Sequence, residues 1–270
     1  MSAGMPAGGA GLYSIGVRDV SVPELLEWAG HEGLPFLHLR GGPRGYDLTR
    51  QKAATLRYWR QCAEQCVPIT GVTADLDLID LFAPSRPERA HAREELERLA
   101  AAAEALGATW VRLLGRTVPQ GRLLEVVLDE ELPQVTVPLL VELHHPGWLA
   151  PTAVDALEEL LQRRPHLRLL ADTAQLAAAV PSTDGGAGPA LERVLDFARV
   201  LHLSDSGSGL NSDGHARVAM AVARRIAEGQ HIEVAVEWTG QPRTAQECLD
   251  QYRAACRWWG NYAPPAPRKP

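Results

Sequence analysis

Residues 137–148 read VPLLVELHHPGW, and the way this stretch ends decides how the rest of the chain is read. A short apolar run leads directly into Glu142, His144 and His145, and Pro146 and Gly147 stop any regular element there. So compact an apolar run is expected of a buried strand. Side chains alternate between the faces of a strand, so Glu142 and His144 share one face while His145 begins on the other side or in the loop. The strand thus delivers an acid and an imidazole to one place.

Working outward, similar runs recur near residue 12 and at 35–40, 67–72, 110–115, 167–172, 199–204 and 232–238, making eight strands in all. Segments of helical periodicity separate them, among them SVPELLEWAGHEG, ERAHAREELERLAAAAEALG and GHARVAMAVARRIAEG, and AQECLDQYRAACRWW follows the last strand. Eight strand-helix units over about 250 residues fit an α/β fold of the (β/α)8 TIM-barrel type. A doubly wound open sheet is the competing arrangement, but its GxGxxG turn is missing after the first strand, where GLYSIGVRDV stands. One barrel is expected over residues 11–260, with a flexible glycine-rich start at 1–10 and a proline-rich flexible tail at 261–270.

The 270 residues are 46% hydrophobic and 22% charged, enough apolar content for one large core. The net charge of -6 argues against a nucleic-acid partner. Neither a secretory leader nor an apolar run long enough to span a bilayer is read, so a cytoplasmic location without membrane association is expected. Cys62, Cys66, Cys248 and Cys256 form no paired CxxC motif, in keeping with a reducing compartment.

In a TIM barrel, functional groups gather at the carboxyl ends of the strands. Glu142, Asp172, His202 and Glu237 fall there on strands five to eight, at spacings of 30, 30 and 35 residues. Burying several carboxylates together costs several kcal/mol unless a cation or strong partners compensate. Hard oxygen donors with one imidazole suit a single divalent ion, Mn, Co, Mg or Zn. Glu233 shares Glu237's face and competes with it as the last ligand; Glu237 is preferred because it ends the strand.

Arg40, Arg112 and Arg116 stand at or near strand ends, where a guanidinium can clamp a carboxylate, a phosphate or paired hydroxyls of a small substrate, and Arg44 can assist from a loop. His38 shares Arg40's face. Asp205 is expected to orient a ligand or a substrate hydroxyl. Trp148, Trp238 and Tyr46 are expected to wall the cavity, and Trp258 and Trp259 to pack internally or in a homo-oligomer.

The ordered series VRLLGR, VELHHPG, LLADTAQ, VLHLSDS, SDGHARV and VAVEWTG resembles the xylose-isomerase-like TIM-barrel superfamily over approximately residues 11–260. That group contains sugar phosphate isomerases and epimerases, inosose and 3-dehydroshikimate dehydratases, and endonuclease IV-type enzymes. The resemblance implies metal ligation by Glu142, Asp172, His202 and Glu237. It also implies catalytic roles for Glu142 and Glu237 on opposite sides of the substrate, and places His215 at the family's histidine after strand seven. Where many members have histidine three residues after the sixth-strand aspartate, this chain has Gln175, which still offers a hydrogen-bond donor. The missing imidazole, and a fourth strand without histidine, argue against the endonuclease. The expected activity is a metal-dependent isomerase or epimerase of a small polyhydroxylated keto compound, with His144 donating to substrate or replacing one glutamate. A metal-dependent dehydratase is the alternative, followed by a non-catalytic binding barrel.

Overall fold

The computed structural model describes residues 9–179 and 188–264. Eight parallel strands close into a barrel in chain order: β1 Gly11–Tyr13, β2 Leu37–Arg40, β3 Ile69–Asp77, β4 Val111–Gly115, β5 Leu139–Leu143, β6 Leu167–Asp172, β7 Ala198–Asp205 and β8 Glu233–Trp238. Closure is made by β1 against β8, where Leu12 pairs with Val236 while also pairing with Leu37 of β2. The barrel expected from the apolar runs is therefore the fold of this chain, and among the described residues no sheet edge is left to pair with another molecule.

The helices among the described residues are α1 Val22–His31, α2 Ala53–Gln65, α3 Arg86–Leu106, α4 Arg122–Asp129, α5 Pro151–Arg163, α6 Thr173–Ala179, α7 Pro189–Leu195, α8 Asp213–Ala227 and α9 Ala245–Trp259. Their ends are set by local chemistry. Ser21 and Glu24 close a reciprocal capping box on α1, and Gly107 ends α3 at φ 84°, a left-handed conformation that glycine adopts without strain. No described helix is long and apolar enough to cross a membrane. The short helix α6 was not foreseen: TAQLAAA follows β6 directly and is too brief to show a period.

Inside the barrel, three strands repeat one pattern. Leu140 precedes Glu142, Leu170 precedes Asp172 and Val200 precedes His202, each pair two residues apart and so on one face. The apolar members pack with Trp110 as a separate buried cluster, and the polar members stand one step nearer the carboxyl ends. Gly71 makes room for this plug, because a Cβ there would lie 1.9 Å from the Trp110 ring.

Residues 1–8 and 265–270 lie outside the described residues, but Ala10 is buried and its carbonyl accepts the Tyr252 hydroxyl at 2.6 Å. Tyr262 and Ala263 both donate their amides to the Trp259 carbonyl and pack against the core. Core packing thus reaches Ala10 at one end and Ala263 at the other. Trp259 is itself buried, and Trp258 stacks obliquely on Tyr262 with ring centroids 4.9 Å apart.

Candidate active site

Parallel register aligns the polar residues of the last strands, Asp172 opposite His202 and Ser204 opposite Glu237. Asp172, His202 and Glu237 each offer one ligand atom, these atoms lie within 4.8 Å of one another, and all three residues are buried. Glu142, the fourth expected member, lies outside this group. Its Oε2 is 2.8 Å from Arg112 Nε and its Oε1 is 2.8 Å from His144 Nε2.

His202 is held at both ring nitrogens. Its Nδ1 is 2.8 Å from Glu237 Oε2 and its Nε2 is 2.9 Å from His38 Nδ1. His38 continues the chain, its Nε2 lying 2.6 Å from Glu233 Oε1, which also accepts the Thr70 hydroxyl at 2.8 Å. Burial alone would raise the Glu233 carboxyl, but hydrogen bonds from His38, Thr70 and Trp110 more than offset it and hold the group below its ordinary range. Burial lowers both imidazoles to about 4, so they are neutral at pH 7.

The tautomers are assigned from this network. An ionised Glu233 can only accept, so His38 carries its hydrogen on Nε2 and presents Nδ1 as an acceptor. His202 must then donate from Nε2, which leaves the Nδ1 lone pair facing the Glu237 carboxyl. Glu233 is thus the anchor of the imidazole pair, and the competition with Glu237 is resolved by geometry: only Glu237 belongs to the three-residue group.

A lone pair facing a carboxylate at 2.8 Å needs a proton or a cation between the two groups. The electrostatics carry the same demand. Burial and then the Glu142 charge push Glu237 up to about 8. Asp172 is raised well above its ordinary value by burial, with Glu237 and Glu142 adding to the shift. Two carboxyls and a neutral imidazole, buried and without an ion pair to a lysine or arginine among the described residues, fit one divalent ion. Asp172, Glu237 and His202 Nδ1 would hold it.

Glu142 has the opposite environment. Burial alone would raise it, but Arg112 and His144 more than offset this and take it down to about 2. The contact is close without well-aligned hydrogen bonds, since Arg112 Nε, Glu142 Oε2 and His144 Nε2 all lack one. Arg112 Nη1 donates to the Ala74 carbonyl at 2.8 Å, so this guanidinium is committed to the wall and to Glu142. His144 is raised above its ordinary value: burial works against this, and Glu142 more than offsets it.

Glu142, His144 and Glu237 line one cavity of about 380 Å³, together with Tyr13, Arg40, Arg44, Asp75, Arg112 and Arg116. Tyr13 bonds through its hydroxyl to Thr73 Oγ1 at 2.7 Å, stacks its ring on His202 and is pushed up to about 12 by burial. The sequence reading did not single out Tyr13 or Asp75. The signal was there for Tyr13, the last residue of β1, but a three-residue strand gives no alternation from which to tell its inward face.

Other expected residues are occupied elsewhere. Asp205 Oδ1 accepts the amides of Gly207 and Gly209 at 2.8 and 2.9 Å, which shapes the loop after β7. His215 Nδ1 lies 2.6 Å from Ser212 Oγ at the start of α8, and its Nε2 3.3 Å from the Ser204 carbonyl. Gln175 donates its backbone amide to Asp172 Oδ1 at 2.9 Å, so a backbone group positions the ligand here. Trp148 does not wall the cavity: its ring is buried in the core and Nε1 donates to the Gly115 carbonyl at 2.8 Å. Trp238 is also in the core, packed so closely that a Cβ on Gly240 would lie 2.2 Å from its ring. Arg116 stands at the rim, half exposed, with Nη2 on the Asp75 carbonyl.

Residues 26–235 match the family model described as xylose isomerase-like TIM barrel. Among solved structures the chain is similar to D-psicose 3-epimerase from Clostridium cellulolyticum H10, at 13% identity and a TM-score of 0.66, over 94% of this chain and 99% of that one. It is similar to the IolI protein with a bound zinc atom, at 14% identity and a TM-score of 0.64, over 94% and 99%. The probable 3-DHS dehydratase AsbF from Bacillus anthracis gives 16% identity and a TM-score of 0.63, again over 94% and 99%. No curated protein sequence matches the chain.

Proposed function

The chain belongs to the xylose isomerase-like TIM-barrel family, and within it we propose a divalent-metal-dependent isomerase or epimerase acting on a small polyhydroxylated keto compound, a sugar, cyclitol or related intermediate. The observation that supports this most is the pairing in one cavity of the Glu142–His144 dyad with Glu237 of the Asp172–His202–Glu237 group. When bound, the ion supplies Lewis-acid polarisation of a carbonyl and stabilises the charge of an enediolate.

The chain's own residues handle the protons. Arg112 keeps Glu142 ionised, and Glu142 in turn holds His144 Nε2 at 2.8 Å, so the imidazole titrates closer to neutral pH than the acid behind it. His144 is the group we assign to moving a proton to or from the substrate on that side. Glu237 holds or releases a proton at its carboxyl on the other side. Tyr13, neutral and fixed by Thr73, borders the same space. His144 as an acid in the cavity also favours a second reading, dehydration, in which the proton goes to a departing hydroxyl beside the enediolate.

The test is metal content, followed by exchange. Protein purified without chelator is expected to hold about one divalent ion per chain. The loaded protein should then place solvent deuterium on the carbon beside the carbonyl when offered ketoses and cyclic polyhydroxy ketones. Loss of water from the product marks the dehydratase. A chain that takes up none of Mn, Co, Mg or Zn after supplementation overturns both.

A further inference from the structure

A second cavity of about 310 Å³ lies outside the one just described and shares Ile15, Arg40 and Arg44 with it. The two are thus neighbours, with Arg40 and Arg44 in the lining of both. The outer lining is cationic. Arg18, Arg40 and Arg44 face it, and Asp19 is the one acid among its lining residues.

The nearby carboxylates neutralise these guanidinium groups only in part. Glu142 is taken by Arg112. Asp77 accepts the amides of Ile79 and Arg116. Asp75 is shared, at 2.5 Å from Arg44 Nη2 and 3.7 Å from Arg40 Nη2, so one acid serves two cations. On the same side Arg243 is held below its ordinary value by burial and then by the charges of Arg18 and Arg40, while Glu237 acts in the other direction.

Arg40 is also built in. Its side chain is only 12% exposed, and its backbone amide is fixed by Ser14 Oγ at 2.9 Å. Gly45 closes over its stem, where a Cβ would lie 2.2 Å from the Arg40 carbonyl and 2.7 Å from its Cγ. A largely buried, oriented guanidinium with only a share of one acid has donors to spare.

We propose that this outer cavity is the subsite for an anionic group, a carboxylate or a phosphate, carried at the end of the substrate remote from the reacting carbons. Arg40 and Arg44 are its principal ligands, and Arg18 stands at its edge. The term substrate rests on the reaction proposed above; the anion site itself does not depend on the metal.

The test is calorimetric titration of the full chain, treated with chelator, against inorganic phosphate, malonate and neutral xylitol at constant ionic strength. Phosphate or malonate is expected to bind at one site with millimolar affinity, and xylitol not to bind. The tighter anion identifies whether the group is a phosphate or a carboxylate. Arg40→Gln and Arg44→Gln should each weaken binding about tenfold, the loss of one charge-assisted contact. Asp172→Ala should leave it unchanged. Because Arg44 and Arg18 are exposed, Arg44→Gln and Arg18→Gln decide the matter if Arg40→Gln fails to fold. The proposal is overturned if the wild type binds neither anion, if the arginine variants bind within about twofold of wild type, or if Asp172→Ala abolishes binding. Metal content fails or succeeds independently of all three outcomes.

Discussion

His38 and Glu233 meet across the intervening strand β1 through one 2.6 Å contact, Nε2 to Oε1, and neither residue lines the cavity. The pair nevertheless decides which nitrogen of His202 is free. His38→Leu removes the acceptor for His202 Nε2 and should weaken Mn²⁺ affinity about 10- to 100-fold, the range found when partners of metal ligands are removed. Glu233→Gln should weaken it less, because the amide oxygen still accepts from His38. Calorimetric metal titration measures both, with circular dichroism to verify that the barrel is intact. Equal affinity in all three proteins would show that the tautomer is not set by this route.

Asp172 and Glu142 are expected to separate metal binding from turnover. Asp172→Ala should lose the ion and therefore activity. Glu142→Gln should retain the ion, since Glu142 faces Arg112 and His144, and lose turnover by about 100-fold or more. Elemental analysis of the two purified variants distinguishes them. If Glu142→Gln is as metal-free as Asp172→Ala, the glutamate swings from Arg112 to become a fourth ligand.

Arg112→Met leaves the Glu142 carboxylate, 2% exposed, without its main counter-charge. Removing one partner of a buried pair typically costs about 3–5 kcal/mol. Adding Glu142→Gln to the same protein should recover part of that loss. A double-mutant cycle by calorimetric melting measures the coupling, and simple additivity would contradict the close pairing.

Cys248 is buried beside Gly16, and burial pushes its thiol up to about 12 from 9.0. The folded chain therefore keeps a proton that the unfolded chain releases. Its contribution is fully present below pH 9 and declines as pH rises between 9 and about 12. Cys248→Ala should flatten this alkaline loss. At pH 8 in native protein, iodoacetamide should modify exposed Cys66 and spare Cys248, as peptide mass mapping will read out.

The fold was legible because a parallel barrel needs strands buried on both faces, and LLVEL and LRLLAD carry that requirement as mostly apolar runs broken only by Glu142, Arg168 and Asp172. The clustering of Asp172, His202 and Glu237 followed from their strand-end positions. The place of Glu142 did not, because Arg112 on the neighbouring strand β4 claims it, and sequence shows proximity only within a strand. Trp148 and Asp205 were misplaced for a related reason. Each sits beside a strand end, but a core contact in one case and two loop amides in the other set the direction of the side chain.

The two-residue step from Leu140, Leu170 and Val200 to Glu142, Asp172 and His202 divides labour along each strand. The lower residue fills the plug, and the upper one is free of that duty. Exchanging an upper residue alters the donor set without opening a void beneath it, whereas exchanging a lower one leaves a hole whichever reaction is being run. Inherited change can therefore rewrite the chemistry of such a barrel one strand at a time while its foundation stays sealed.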